Sequence, residues 1–314
     1  MSDNVVPAPL KETMRRAERL EWWSIGWTIS VIIVMGGAMG SSQTMKTAWI
    51  EDCLSLIPPA VFLVSARIER RPASSRFPNG FARAPGLAFA IAAAALAALG
   101  GTLLIDSAMS LLSREHATVT AVHIFGREIW LGWVMVAAQV YSIVVPLLLG
   151  RMKLPLAKEL NDKTLFTDAM TQKANWMTGI AGIGGVIGIG MGYWWADALA
   201  AGLISHDILN DGIRALRSAS AELVDGAPRA LDGTDVAEDA TALHAHLDAC
   251  FPRAEIHLRE TGRFIEAQIV GVTSPGGTLN PADYWPGDPN RSWRLGRLSF
   301  VPAADTTGSV KNTE

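Results

Sequence analysis

Hydrophobic residues are concentrated in long blocks separated by short polar segments. A membrane-spanning helix needs about 20 consecutive, mostly apolar residues, because each residue advances the helix by about 1.5 Å. Six blocks reach this length, at residues 22–41, 47–66, 84–112, 129–149, 165–193 and 194–216. The pattern therefore predicts an all-helical bundle of six transmembrane spans.

The pattern changes after the sixth block. Residues 235–249 show the spacing of an amphipathic helix, while residues 254–258 and 263–272 alternate as strands around a turn at Thr261 and Gly262. Residues 297–301 form a third short strand pattern. We expect four regions: an N-terminal cytoplasmic segment (1–20), the transmembrane domain (21–217), a small cytoplasmic α+β domain (218–302) and a disordered tail (303–314).

Composition supports a polytopic membrane protein. The 314 residues are 49% hydrophobic and only 18% charged, whereas soluble domains carry about 25% charged residues. A formal net charge of −3 provides no basic surface for nucleic acid, so a nucleic-acid partner is excluded. Two cysteines are too few to form a disulfide scaffold.

Lysine and arginine predict the orientation of the spans. Fifteen of these cations fall on one side of the six-span arrangement and three on the other. Cytoplasmic loops carry the excess of positive charge. Both termini are therefore expected in the cytoplasm, and we expect an integral, multi-pass protein of a bacterial inner membrane.

Polar residues inside three of the predicted spans are the candidates for a functional site. Ionisable groups are costly in the membrane and therefore commonly functional. Oxygen atoms from several helices could coordinate a hard divalent cation, and a histidine could relay protons. The candidate metal ligands are Glu51, Asp52 and Ser55 in the second span, Asp168, Thr171 and Asn175 in the fifth, and Asp207 and Asp211 in the sixth; His206 is the candidate proton relay.

Four of the candidates also have a structural interpretation. Glu51 and Asp168 lie near span ends and could sit at headgroup depth. Asp207 could form a structural ion pair with Lys173, and His206 could be a hydrogen-bonded core histidine. In the C-terminal region, His244 and His246 are two residues apart on a predicted helix, so they point in different directions and do not form a good chelating pair.

Three sequence segments resemble the cation diffusion facilitator family. They are ARIERRPASSRFPNGFARA at residues 66–84, WWADALAAGLI at 194–204 and LVDGAP at 223–228. Their order and spacing extend the resemblance over residues 20–301. The resemblance implies a homodimeric efflux transporter that exchanges a divalent metal for protons and carries a ferredoxin-like cytoplasmic domain.

The resemblance also shows where this sequence departs from the family. The family's usual His/Asp-x-x-x-Asp pairs would fall on Glu51 and Ser55 and on Thr171 and Asn175. Asp168 matches an acid that the family often has one turn earlier, and Asp52, Asp207 and Asp211 could compensate. A site rich in oxygen ligands favours Mn²⁺, Fe²⁺, Co²⁺ or Mg²⁺ over Zn²⁺.

Two functions of different classes follow. The first is a secondary transporter that exports a divalent cation, with no resident cofactor. The second is a family-related membrane protein that has lost transport and acts as a scaffold or a metal-responsive partner. The sequence contains no HExxH, GxSxG or Walker motif, so an intramembrane enzyme is not expected.

Overall fold

The computed structural model describes residues 10–38, 49, 52–113, 121–124, 127–191, 193, 195–233, 235–276 and 279–302. Within these residues, six helices of at least 13 residues precede a small C-terminal α+β region. The helices are α1 (Leu10–Ala38), α2 (Ile57–Glu69), α3 (Ala84–Ser113), α4 (Leu131–Leu160), α5 (Lys163–Gly190) and α6 (Ala196–Leu223). Each of them overlaps one of the six predicted spans.

Two of the described helices are long and apolar enough to cross a membrane by length and composition alone. They are α3 and the part of α4 from Val136 to Leu160, with mean hydropathies of 2.2 and 1.4 over their best windows. The remaining predicted spans correspond to α1, α2, α5 and α6, which carry more polar residues. The total of six spans therefore stays a prediction.

Helices α3 and α6 pack with unusually close backbones. A Cβ atom on Gly100 would lie 2.5 Å from the backbone nitrogen of Leu209, and one on Gly212 would lie 2.5 Å from the Cα of Ala97. Small residues let helix backbones approach in this way. The glycines at these two positions therefore allow the close contact of α3 with α6, which is the most extensive helix contact among the described residues.

The second predicted span differs most from the observed element. Residues 52–54 are helical and are followed by a turn, and α2 begins at Ile57. Pro58 and Pro59 occupy its first turn, where the absence of an N–H group has no cost to helix hydrogen bonding. Two prolines inside the second predicted span would kink a continuous helix, but in the structure they lie at a helix start.

A short hairpin that the sequence did not predict precedes α4. Strand β1 (Ala121–Ile124) pairs antiparallel with β2 (Arg127–Trp130), with Ile124 opposite Arg127. The predicted fourth span began at residue 129, inside β2. Because β2 ends at Trp130, the helix begins at Leu131.

The C-terminal region confirms a small α+β domain. Helix α7 (Glu238–Cys250) packs Leu243 and Leu247 against a three-stranded sheet formed by β3 (Glu255–Thr261), β4 (Phe264–Val270) and β5 (Leu295–Val301). Strands β3 and β4 are antiparallel, whereas β4 and β5 are parallel. Two 3₁₀ segments, Pro281–Tyr284 and Pro289–Arg294, connect β4 to β5. The described residues of this proline-rich connection, 271–276 and 279–294, form no α-helix.

Candidate cation site

The predicted ligands of the second span lie just before α2. Asp52 is half-buried. The buried hydroxyl of Ser55 donates a hydrogen bond to the backbone carbonyl of Asp52, at 2.8 Å. This hydroxyl proton is therefore committed to the local turn. Glu51 lies outside the described residues.

Asp168 is fully buried in the first half of α5, where it forms an ion pair with a lysine. Its Oδ2 forms an ion pair with the ammonium group of Lys153 on α4. The same ammonium group lies 2.8 Å from Oε2 of Glu21 on α1. All three side chains have no exposed surface. Three helices thus meet at one buried group of two carboxylates and one ammonium, which we call the α1–α4–α5 triad.

Further polar contacts line the same interface. One helical turn from the triad, the amide of Gln172 donates a hydrogen bond to the hydroxyl of Ser24, at 3.0 Å. Thr171 is buried, and its hydroxyl donates to the carbonyl oxygen of Thr167 at 3.1 Å. Asn175 is half-buried. The polar residues of α5 therefore continue from Asp168 along the helix.

The acids of the sixth helix line a different space. Asp207 and Asp211 border a cavity of about 290 Å³ between α5 and α6, which Lys173 and Arg214 also line. Arg214 lies 3.6 Å from a carboxylate oxygen of Asp211. His206 is exposed and its Nε2 lies 3.0 Å from the side-chain amide of Asn210. Two acids and two cations thus share one cavity.

The described candidates do not meet at one point. Asp168 faces α1 and α4 through its ion pair, whereas Asp207 and Asp211 face the cavity with Lys173. Within the described ranges, no group of three His, Cys, Asp or Glu side chains is arranged to hold a metal ion. The described candidates therefore form two separate groups, the buried ion pair of Asp168 and the cavity-lining acids of α6, rather than one coordination shell.

Sequence reasoning missed two members of the triad. Glu21 stands immediately before the first predicted span, and Lys153 was counted among the loop cations. The sequence signal was the spacing of Glu21, Ser24 and Thr28 at i, i+3 and i+7, which places them on one helix face; in the structure all three are buried in α1. Asp106, inside the third predicted span, was also missed; it is exposed on α3.

The tip of the β3–β4 hairpin is buried against the helical bundle. Arg263, with 1% of its side chain exposed, lies 2.9 Å from Asp162 and 3.1 Å from Glu69. Asp162 also accepts a hydrogen bond from the backbone of Leu165 at 3.0 Å, at the start of α5. One arginine thereby joins the C-terminal domain to the ends of α2 and α5.

A second buried ion pair lies beside the first. Lys163 pairs with Glu260 of β3 and lies 3.5 Å from Glu222 near the end of α6. Glu222 follows the predicted end of the sixth span. Burial raises the pKa of the Glu222 carboxyl to about 7; Lys163 opposes this shift and Glu260 adds to it. Burial likewise raises the pKa of Glu69. These groups form a titratable junction between the two parts of the chain.

The histidines of the C-terminal domain do not form a metal site among the described residues. His246 is half-buried, and its Nε2 lies 3.7 Å from the sulfur of Cys250 on the same face of α7. His257 lies on β3, 3.1 Å from Glu255. His244 is exposed on α7. These contacts are local pairs at the domain surface.

Comparison with known proteins identifies the helical part of the chain. The cation efflux transmembrane domain matches residues 24–224. Two relatives are the magnetosome protein MamB of Paramagnetospirillum magneticum, 23% identical over 65% of this chain and 68% of its own length, and MamB of Magnetospirillum gryphiswaldense, 23% identical over 66% of this chain and 67% of its own length. The domain match ends at Val224, one residue after α6.

Proposed function

The chain belongs to the cation efflux family, and on that premise we propose that it exports a divalent metal cation from the cytoplasm in exchange for protons. Membership implies an integral membrane protein that transports a metal cation. The exchange with protons, the cytoplasmic termini and a homodimeric assembly are the finer parts of the proposal. The observation that carries it is the buried Asp168 carboxylate inside the matched domain.

The proposed ligands are oxygen atoms on the second, fifth and sixth spans. Asp52 and Asp168 would bind the ion most strongly because carboxylates are the preferred ligands of hard cations. Ser55, Thr171 and Asn175 would add neutral oxygens, and Asp207 and Asp211 would bind the ion at a second position on its path. Glu51 and His206 complete the proposed set as a ligand and a proton relay.

Competition between metal and protons for the same carboxylates provides the coupling. A carboxylate must be deprotonated to bind the ion, so a rise in proton concentration lowers the affinity for metal. Protons entering from outside would therefore promote metal release on that side. This coupling requires only carboxylates that are reached alternately from the two sides of the membrane.

A proteoliposome assay tests the proposal directly. Uptake of Mn²⁺, Fe²⁺, Co²⁺, Mg²⁺ and Zn²⁺ would be measured with and without an imposed pH difference. We expect pH-driven uptake of at least one of the first four ions, and loss of that uptake in Asp52→Asn and Asp168→Asn. Asp248→Asn, on the exposed face of α7, is the matched control. Equal uptake by empty liposomes would refute the transport proposal.

One observation favours the second function, a membrane scaffold or metal-responsive partner without transport. Asp168 is already paired with Lys153, and the described acids lie on separate faces. In that case Asp52→Asn, Asp168→Asn and Asp207→Asn would all leave metal flux across vesicles unchanged from the wild type.

A further inference from the structure

The α1–α4–α5 triad has an unequal set of charges and contacts. Glu21 and Asp168 supply two carboxylates and Lys153 supplies one ammonium, so the formal net charge is −1. Among the described residues, Oε1 of Glu21 and Oδ1 of Asp168 are buried without a hydrogen-bond partner. Buried polar atoms are almost always paired. A triad whose only purpose was to join three helices would be expected to satisfy both oxygens.

The two free oxygens suit a cation of higher charge than the ammonium. Two carboxylates with a divalent ion have no net charge, whereas with one ammonium they keep one negative charge in a buried place. Hard divalent cations bind carboxylate oxygens and accept further neutral oxygen ligands. Ser24 and Gln172 supply neutral oxygens one turn away.

The Lys153 side chain is long and flexible, which is what displacement of its ammonium group from the two carboxylates would need. Its ammonium group sits at the end of a flexible four-carbon chain, and it bridges two helices rather than one. The movement that displacement requires is a rotation of the Lys153 side chain away from the carboxylates, rather than an unfolding of α4.

We propose that Lys153 is a tethered cation that occupies the Glu21–Asp168 carboxylate pair, and that a divalent cation binds this pair when the ammonium group withdraws. This inference rests on the proposed function and adds Glu21 as a ligand on α1. Lys153 then limits the affinity for the ion and promotes its release by returning to the carboxylates. It is a positioning and competing residue, not a ligand of the ion.

The test is Mn²⁺ binding by the purified full-length chain, measured by calorimetry. Removing an ammonium that competes at a few ångströms should strengthen binding at least about tenfold in Lys153→Met. Lys158→Met, an exposed lysine of the same helix, should bind as the wild type does. The double variant Lys153→Met/Asp168→Asn keeps the net charge of the triad and should lose the gain. A Lys153→Met protein that binds within twofold of the wild type overturns the inference.

Two further measurements cover a variant that fails to fold. Lys153→Gln keeps a hydrogen-bond donor beside the carboxylates and is judged by the same tenfold criterion. In the wild-type chain, an amine-reactive reagent followed by peptide mass spectrometry should modify Lys153 several-fold faster with Mn²⁺ present, while Lys158 should not change. Equal modification of Lys153 with and without Mn²⁺ counts against the inference.

The outcomes separate this inference from the proposed transport. If the wild type carries Mn²⁺ across vesicles but Lys153→Met binds it no more tightly, transport stands and the tethered-cation inference fails. If the wild type carries no metal but Lys153→Met binds Mn²⁺ in a manner that needs Asp168, the inference stands and transport fails.

Discussion

The guanidinium group of Arg263 lies 2.9 Å from the carboxylate of Asp162, so the tip of the β3–β4 hairpin is held at the start of α5. The turn fits closely, because Gly262 has a left-handed φ of +61° and a Cβ there would lie 2.5 Å from the carbonyl oxygen of Ala82. The C-terminal domain is thus joined to the helical bundle by buried charge rather than by a linker alone.

Replacing Arg263 by alanine should strongly destabilise this junction. The change leaves the buried carboxylates of Asp162 and Glu69 without their cation, and breaking a buried ion pair costs about 3–5 kcal/mol. We expect a clear fall in the thermal unfolding temperature of the detergent-solubilised protein. Arg253→Ala, on the exposed surface of the same domain, is the control; an equal fall in both variants would contradict the prediction.

Glu222 should make the stability of the junction depend on pH. The folded state raises the pKa of this carboxyl from 4.5 to about 7, so between these values the folded state holds a proton that the unfolded state releases. Stability should therefore fall as the pH rises from about 4.5 to 7 and level off above that range, by a few kcal/mol at most.

Thermal unfolding at several pH values checks this slope. Glu222→Gln cannot titrate and should show a smaller loss of stability between pH 5 and 7 than the wild type. Glu69, whose pKa is also raised by burial, should maintain part of the slope in that variant. A Glu222→Gln protein with the full wild-type slope would show that this carboxyl is not its source.

Two adjacent glycines of α3 should respond differently to alanine. A Cβ on Gly100 would lie 2.5 Å from the backbone of Leu209, whereas one on Gly101 would lie 3.9 Å from a methyl carbon of the same residue. Gly100→Ala should push α3 and α6 apart at a cost of about 1–3 kcal/mol, and Gly101→Ala should have little effect. The yield of folded protein and its unfolding temperature provide the comparison, and similar values for both variants would refute it.

Asp239 should be essential for the C-terminal domain. It pairs with the buried Arg294 and lies 3.0 Å from Arg291. Asp239→Ala would leave the Arg294 guanidinium buried without its partner, which should destabilise the domain by about 3 kcal/mol. Glu238→Ala changes an exposed acid in the same first turn of α7. Thermal unfolding of the detergent-solubilised protein should show a lower unfolding temperature for Asp239→Ala only.

The local pattern of the sequence was sufficient for most elements of the fold. Long apolar runs predicted α3 and α4 because membrane length and hydropathy are properties of a single segment. Alternating residues around Gly262 predicted the β3–β4 hairpin for the same reason. Pro58 and Pro59 were harder to interpret, because proline is compatible both with a kink and with a helix start.

The charge pairs could not be found in this way. Asp168 was recognised as an unusual acid, but its partner Glu21 lies about 150 residues earlier and Lys153 on another helix. Which faces of three helices meet depends on how each helix is rotated and packed. Asp207, on a neighbouring helix, was expected to share a site with Asp168, and the packing directs it to the cavity with Lys173.

The amino-acid sequence by itself determined that this protein is helical and membrane-like, that it ends in a small α+β domain, and that it resembles the cation efflux family. Those properties depend on hydropathy, periodicity and short segments that are continuous along the chain. Tertiary packing alone decided that Lys153 forms ion pairs with Glu21 and Asp168, and that Arg263 joins the C-terminal domain to the helical bundle. Buried charges must be paired in three dimensions, and their partners come from whichever helices the fold brings together.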